Sequence, residues 1–211
     1  AVDWTDCSGG ALLNTEFGAT GDVATLERQT GLFESALVPW TFWSYDEQLV
    51  HDLGAPATGA NVNDAVVDAL ARPHAVAVAG TPRGAAYDPV GGAFQFSWST
   101  TGPDGSRFPD DAVTLLDVNA RAYPGGYDVT VEGGQVTSAP NAPHLTVVAD
   151  PGALDFWIRV GNERLHDPVA RLKPKASAFL AAPSAELVAI NSSTGLADSE
   201  YTEATVLRAM A

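Results

Sequence analysis

The hydrophobic pattern of the chain changes near Pro73, and this change limits the folds that are open to it. Before Pro73, short apolar stretches alternate with segments of helical periodicity, which is typical of strands joined by crossover helices. After Pro73, apolar and polar residues alternate one by one in several short segments. A period of two indicates half-buried antiparallel strands. The sequence therefore predicts an α/β part followed by an all-β part.

The α/β part contains two predicted strand–helix units. The first strand covers residues 11–15 and ends at a glycine-rich polar turn, after which Asp22 is placed to cap a helix. The second strand covers residues 37–43, and a long loop then leads to Asn61. We expect Asn61 to cap a second helix, which Pro73 ends. Strands in this order, joined by helices, should be parallel.

Two such units are too few for a stable parallel fold. A (β/α)8 barrel needs eight units and about 250 residues, and all-parallel sheets normally have both faces covered. We therefore expect residues 1–73 to be the last quarter of a TIM barrel, strands seven and eight with their helices. Residues 74–172 should form an antiparallel β-sandwich of about seven short strands, and residues 173–211 a partly disordered tail. The start at Ala1, without Met or a signal peptide, suggests a processed or truncated product.

Charge and composition exclude several classes of function. The formal net charge of −15 repels phosphate backbones and anionic lipid surfaces, so we expect no nucleic-acid partner. No apolar run approaches the roughly 18 residues of a transmembrane helix. Cys7 is the only cysteine and no His/Cys cluster has zinc-ligand spacing, so we expect neither an internal disulfide nor a metal or other cofactor. Serine-hydrolase and phosphate-binding motifs are also absent.

A few side chains near the predicted strand ends could take part in catalysis or binding. Glu16 follows the first strand, where a fixed carboxylate could attack an anomeric carbon, although its position alone favours a solvated strand-end acid. Trp43 ends the second strand and could stack on a sugar ring, or it could belong to the core. Asp46 and Glu47 lie in the next loop, where they could touch substrate or simply be solvated.

Several segments resemble a known family. Residues 12–20 (LLNTEFGAT) and 40–47 (WTFWSYDE) resemble strands seven and eight of glycoside hydrolase family 5, in its endoglycoceramidase branch. Residues 123–131 (YPGGYDVTV) and 138–143 (SAPNAP) are similar to the carboxyl-terminal domain of that branch. The resemblance covers roughly residues 9 to 160.

The resemblance implies a function for the residues at the strand ends. Glu16 matches the nucleophile of the family. Trp43 matches the tryptophan that forms the floor of the sugar subsite beside the scissile bond. Tyr45, Asp46 and Glu47 would contact substrate. A secreted, retaining endo-β-glycosidase is implied, with a glycolipid or oligosaccharide substrate and most specifically the oligosaccharide–ceramide bond.

The same resemblance predicts that this chain is inactive by itself. In the family the acid/base follows an asparagine on the fourth barrel strand, which has no counterpart here. The missing N-terminal part of the barrel would therefore be a necessary partner. The residues of this chain do not distinguish whether the aglycone of the substrate is ceramide, a sterol or a glucan.

A different class of function is also open. The β-sandwich could be a non-catalytic accessory module that contacts carbohydrate or lipid. The mark of such a module would be a flat patch of exposed aromatic side chains, for which Tyr87, Trp98 and Trp157 are candidates.

Overall fold

The computed structural model describes residues 11–161, which fall into two compact units. One unit ends at Leu70 and the other begins at Ala71. The predicted tail, residues 173–211, lies outside the described residues.

The first unit contains two strands and two helices in the predicted order. These elements are β1 (Asn14–Phe17), α1 (Val23–Ser35), β2 (Trp40–Phe42) and α2 (Asp64–Leu70). The parallel pairing of β1 and β2 is confirmed. The predicted boundaries were less accurate, because Glu16 lies within β1 rather than after it.

The second strand begins later than predicted because its first residues close α1. Leu37 adopts a left-handed backbone conformation with φ of 54°, and the N–H of Val38 then donates to the carbonyl of Phe33 at 2.8 Å. A positive φ followed by such a bond is a common way to satisfy the last carbonyls of a helix. Residues 37–39 therefore end a helix instead of starting a strand.

The two helices cover one face of the strand pair. The predicted cap of α1 is confirmed, because Asp22 Oδ1 accepts a hydrogen bond from the Thr25 N–H at 2.8 Å. Hydrogen bonding from the side chain and the N–H of Thr25 lowers the pKa of the Asp22 carboxyl. The core of the unit is a cluster of buried residues and of partly buried residues packed against them. Its members are Leu26, Val66 and Ala69, with Phe17, Val23, Phe42, Leu49 and Leu70 around them.

The expected helix cap at Asn61 is wrong. Asn61 lies in a 3-10 turn, Gly59–Asn61, and α2 begins only at Asp64. The carbonyl of Asn63 accepts from the N–H groups of Val66 and Val67, so Asn63 stands at the start of the helix. Asparagine favours helix caps and tight turns for the same reason, a short side chain that bonds nearby backbone, so its position in the sequence did not separate the two.

The described residues of the second unit, 71–161, form eight strands in two four-stranded sheets. Both sheets are antiparallel, as the alternating pattern predicts. The strand order is β4-β5-β10-β7 in one sheet and β3-β6-β9-β8 in the other. The strands are β3 (His74–Ala77), β4 (Thr81–Asp88), β5 (Ala93–Ser99), β6 (Thr114–Asp117), β7 (Asp128–Glu132), β8 (Gly134–Val136), β9 (His144–Ala149) and β10 (Asp155–Gly161).

A stack of aromatic rings fills the core of the second unit. Trp98, only 1% exposed, stacks on Phe156 of the neighbouring strand with ring centroids 4.6 Å apart, and on Phe96 at 5.2 Å. A Cβ atom added to Gly134, in the other sheet, would lie 2.6 Å from the Phe156 ring. The two sheets therefore meet at this stack, and only glycine fits at position 134.

Two of the segments that carry the family resemblance meet in a single turn. Asn141 has a left-handed backbone with φ of 58°, and its Oδ1 accepts from the Tyr127 N–H at 2.7 Å. The Tyr127 hydroxyl in turn donates to the carbonyl of Ala142 at 2.5 Å. Nearby, burial raises the pKa of Tyr123, whose hydroxyl donates to the Val160 carbonyl. These conspicuous residues thus stabilise the fold of the second unit.

Candidate active site at the ends of the parallel strands

Glu16 and Trp43 lie on the face of the strand pair that the helices leave open. Phe17 faces α1, because its ring packs against that of Phe33 at 5.1 Å, and the Phe42 ring lies beside it at 5.7 Å. Successive side chains of a strand point to opposite faces. The neighbours of these two phenylalanines along the chain, Glu16 and Trp43, therefore point away from the helices.

A backbone hydrogen bond brings these two residues to the same place along the sheet. The N–H of Trp43 donates to the carbonyl of Phe17, the residue after Glu16, at 2.9 Å. Glu16 is exposed and the Trp43 side chain is 61% exposed. A carboxylate and an indole thus share the open face at the carboxyl ends of β1 and β2.

Glu16 also lies at an irregularity of β1 that the sequence did not predict. Asn14 is paired with Trp40 and Phe17 with Phe42, so three steps along β1 match only two along β2. A register shift of this kind is typical of a β-bulge, a feature that redirects side chains and is common beside active sites. The sequence does not predict it, because one inserted residue hardly changes so short a pattern.

The loop after β2 presents two of its three predicted substrate contacts to solvent. Tyr45 is 60% exposed and Glu47 is also exposed. Asp46 is half-buried, and its carboxylate accepts from the N–H of Gln48 at 2.9 Å and from the Ser44 hydroxyl at 3.5 Å. Asp46 therefore closes the loop that carries Tyr45 and Glu47. A role of the three residues in substrate binding stays a prediction.

Asn61 holds the rest of this loop in place. Its Nδ2 donates to the carbonyl of Asp52 at 2.9 Å and to that of Pro56 at 3.0 Å, and its Oδ1 accepts from the Asp52 N–H at 2.7 Å. One side chain thus replaces the backbone pairing that this irregular segment lacks.

Replacing Asn61 with Ala should loosen this loop. The change removes bonds to backbone groups at both ends of the segment, at an expected cost of about 1–3 kcal/mol. Unfolding by urea would measure the loss, and amide hydrogen exchange should accelerate at residues 52–56. Thr58→Ala is a suitable control, because the Thr58 side chain makes no capping bond in the same turn. Equal stability of the two variants would contradict this assignment.

Residues 11–161 show neither a metal-binding cluster nor a membrane-spanning helix. In that part of the chain, His, Cys, Asp and Glu side chains do not come together in groups of three or more suited to a metal ion. Across the same described residues, no helix combines the length and the apolar character that spanning a membrane requires.

Comparison with known proteins finds a family model that matches the second unit. Residues 72–160 are similar to the family described as Glycoside hydrolase family 5 C-terminal domain. This match covers nearly all of the described residues of the second unit.

A curated relative extends the likeness beyond this domain. Endoglycoceramidase I of Rhodococcus hoagii (strain 103S) is 34% identical over 136 residues, a longer stretch than the family 5 C-terminal domain itself. The match covers 64% of this chain but 24% of the relative. The chain thus spans about a quarter of that protein's length and fits the carboxyl-terminal part of an endoglycoceramidase-like protein.

Solved structures agree on the fold. Endo-glycoceramidase II from Rhodococcus sp., in its complex with a cellobiose-like imidazole, matches 76% of this chain and 35% of its own, with a TM-score of 0.53 and 22% identity. The ganglioside GM3 complex of the same enzyme matches 72% of this chain and 32% of its own, with a TM-score of 0.51 and 22% identity.

Proposed function

We propose that the chain contributes the nucleophile and one wall of the sugar site to a retaining endo-β-glycosidase that cleaves the oligosaccharide–ceramide bond. The observation that carries this proposal is the exposure of Glu16 and Trp43 at the adjacent carboxyl ends of the parallel strands, which the bond from the Trp43 N–H to the Phe17 carbonyl joins. The curated relative, named endoglycoceramidase I, supports the substrate class.

The proposed chemistry needs one group from this chain and one from elsewhere. The Glu16 carboxylate attacks the anomeric carbon and forms a glycosyl-enzyme ester as the bond to the aglycone oxygen breaks. A second carboxylic acid, about 5 Å away, protonates that oxygen and then activates the water that hydrolyses the ester. By the family resemblance this acid lies on the fourth barrel strand, so the chain alone should be inactive.

Unsatisfied polar groups in the first unit support a partial barrel. Among the residues described there, the buried side-chain atoms Asn14 Nδ2, Gln29 Oε1 and Gln48 Oε1 have no hydrogen-bond partner. Buried polar atoms without partners are destabilising and uncommon in complete domains. Further strand–helix units of the barrel could pair with these atoms and with the open edges of the β1–β2 sheet. We infer that this missing N-terminal part is the partner of the chain.

The finer fold assignments belong to the same proposal. Residues 1–73 would be strands seven and eight of the barrel with their helices, residues 74–172 a β-sandwich, and residues 173–211 a tail. Secretion, which the family resemblance also implies, stays a prediction.

A hybrid protein tests the function directly. The chain would replace the matching quarter of Rhodococcus hoagii endoglycoceramidase I, joined to the remaining three quarters of that protein. We expect the hybrid to release oligosaccharide from a fluorescent glycosylceramide, because it contains both carboxylic acids. The chain alone and the three-quarter fragment alone should show no turnover. A folded hybrid without activity, or turnover by the chain alone, would contradict the proposal.

The accessory-module alternative has less support. Trp98 is only 1% exposed, and the Arg72 guanidinium lies 5.0 Å from the centre of the Tyr87 ring. Trp157 is half-buried and donates its indole N–H to Gln95 Oε1 at 3.3 Å. These aromatic side chains therefore do not form the flat exposed patch that such a module would need.

A further inference from the structure

We propose that Thr41 is a positioning residue that fixes the bulged backbone of β1 so that Glu16 is presented to the sugar. The inference rests on the proposed role of Glu16 as nucleophile. Thr41 itself would touch neither the substrate nor the reacting atoms.

The first step of the argument is the geometry of the bulge. Thr15 and Glu16 lie between the paired residues Asn14 and Phe17, opposite the single residue Thr41. A bulge disrupts the ladder of hydrogen bonds locally and bends the strand that contains it. A bulged segment of this kind needs another restraint at its unpaired peptide.

Thr41 supplies that restraint with its side chain. Its hydroxyl donates a hydrogen bond to the carbonyl oxygen of Thr15. The Thr15 carbonyl and the Glu16 nitrogen belong to the same peptide group. The bond therefore sets the plane from which the Glu16 Cα–Cβ bond projects.

Ordinary backbone bonds hold β1 on either side of this peptide. The Asn14 N–H donates to the Pro39 carbonyl at 2.9 Å, and the Phe17 carbonyl accepts from the Trp43 N–H at 2.9 Å. The bond from the Thr41 hydroxyl to the Thr15 carbonyl thus lies between two backbone hydrogen bonds that hold β1 at Asn14 and at Phe17.

Such a restraint should affect the chemical steps more than substrate binding. Attack on the anomeric carbon requires a near-attack geometry, and a displacement of about 1 Å can cost a factor of about 100 in rate. Binding depends mainly on the sugar contacts of the site, which a small shift of Glu16 leaves in place. Loss of the hydroxyl should therefore lower kcat with little change in KM.

The kinetic experiment uses the hybrid enzyme described above. Thr41→Val keeps the shape of the side chain but removes its donor, and should lower kcat by about 10-fold to 100-fold with KM changed by less than about twofold. Thr41→Ser retains the hydroxyl and should restore most of the rate. Thr130→Val, in the exposed strand β7 of the second unit, is the matched control and should not alter the kinetics.

A second measurement uses the full chain without any activity. Thr41→Val should accelerate amide hydrogen exchange at Glu16 and Phe17 by about tenfold while the melting temperature stays close to that of the parent. Unchanged exchange would overturn the proposal even if the hybrid were inactive. An unchanged kcat in an active hybrid, or a Thr41→Ser variant as slow as Thr41→Val, would also overturn it. Failure of the proposed function is distinguishable, because the parent hybrid would then be inactive or its Glu16→Gln variant would remain active, and neither result changes the exchange measurement.

Discussion

Replacing Glu16 with Gln in the hybrid enzyme should reduce turnover of a fluorescent glycosylceramide by about a thousandfold or more. Glutamine has the size and shape of glutamate but lacks the anionic oxygen that forms the glycosyl-enzyme ester. Because Glu16 is exposed on the open face of the strand pair, the change should leave the fold intact. The effect should therefore appear in kcat and not in the melting temperature.

Two further measurements sharpen this prediction. Glu27→Gln, the same change within α1, should leave turnover unchanged and serves as the matched control. In a Glu16→Ala hybrid, added azide should attack the anomeric carbon through the space that the truncated side chain leaves, and should yield a glycosyl azide of inverted configuration. A Glu16→Gln hybrid that retained more than a few per cent of the parent rate would mean that another residue is the nucleophile.

Replacing Trp98 with Ala should destabilise the chain by about 3–5 kcal/mol, the range found when a large buried aromatic side chain is removed from a core. Trp98 stacks between Phe96 and Phe156, and its removal would leave a cavity at the point where the two sheets meet. Typical domains are stable by only about 5–15 kcal/mol, so the second unit would be close to unfolding.

Urea denaturation followed by circular dichroism would measure this loss. Val90→Ala is a matched control, because Val90 is 97% exposed and its truncation should cost less than about 0.5 kcal/mol. A cost below about 1 kcal/mol for Trp98→Ala would mean that the indole is not part of the core, and would favour the accessory-module alternative.

The sequence predicted those parts of the fold in which a long pattern repeats. The alternation after Pro73 predicts antiparallel strands, which the second unit contains, and the Asp22 cap is confirmed. The predicted number of about seven strands is close to the eight described. Strands β4 and β8 have weak signals, because β4 contains few large apolar residues and β8 has only three residues, beginning at a glycine that is typical of a turn.

The candidate site was predictable in its residues but not in its geometry. Glu16 and Trp43 stand out as a carboxylate and an indole near the ends of consecutive strands, and both side chains are exposed where those strands end. The bulge and the bond from Thr41 to Thr15 depend on pairing between strands. A threonine in a strand is too ordinary to signal such a contact.

The turn that joins Asn141 to Tyr127 has a consequence for how the family motifs can vary. A methyl group on Gly126 would lie 2.7 Å from the Asn141 side-chain oxygen, and Gly126 itself has a φ of 86°. A larger residue at position 126 and an asparagine at position 141 therefore exclude each other. Wherever this turn is kept, a substitution at one of the two positions should therefore require a matching substitution at the other.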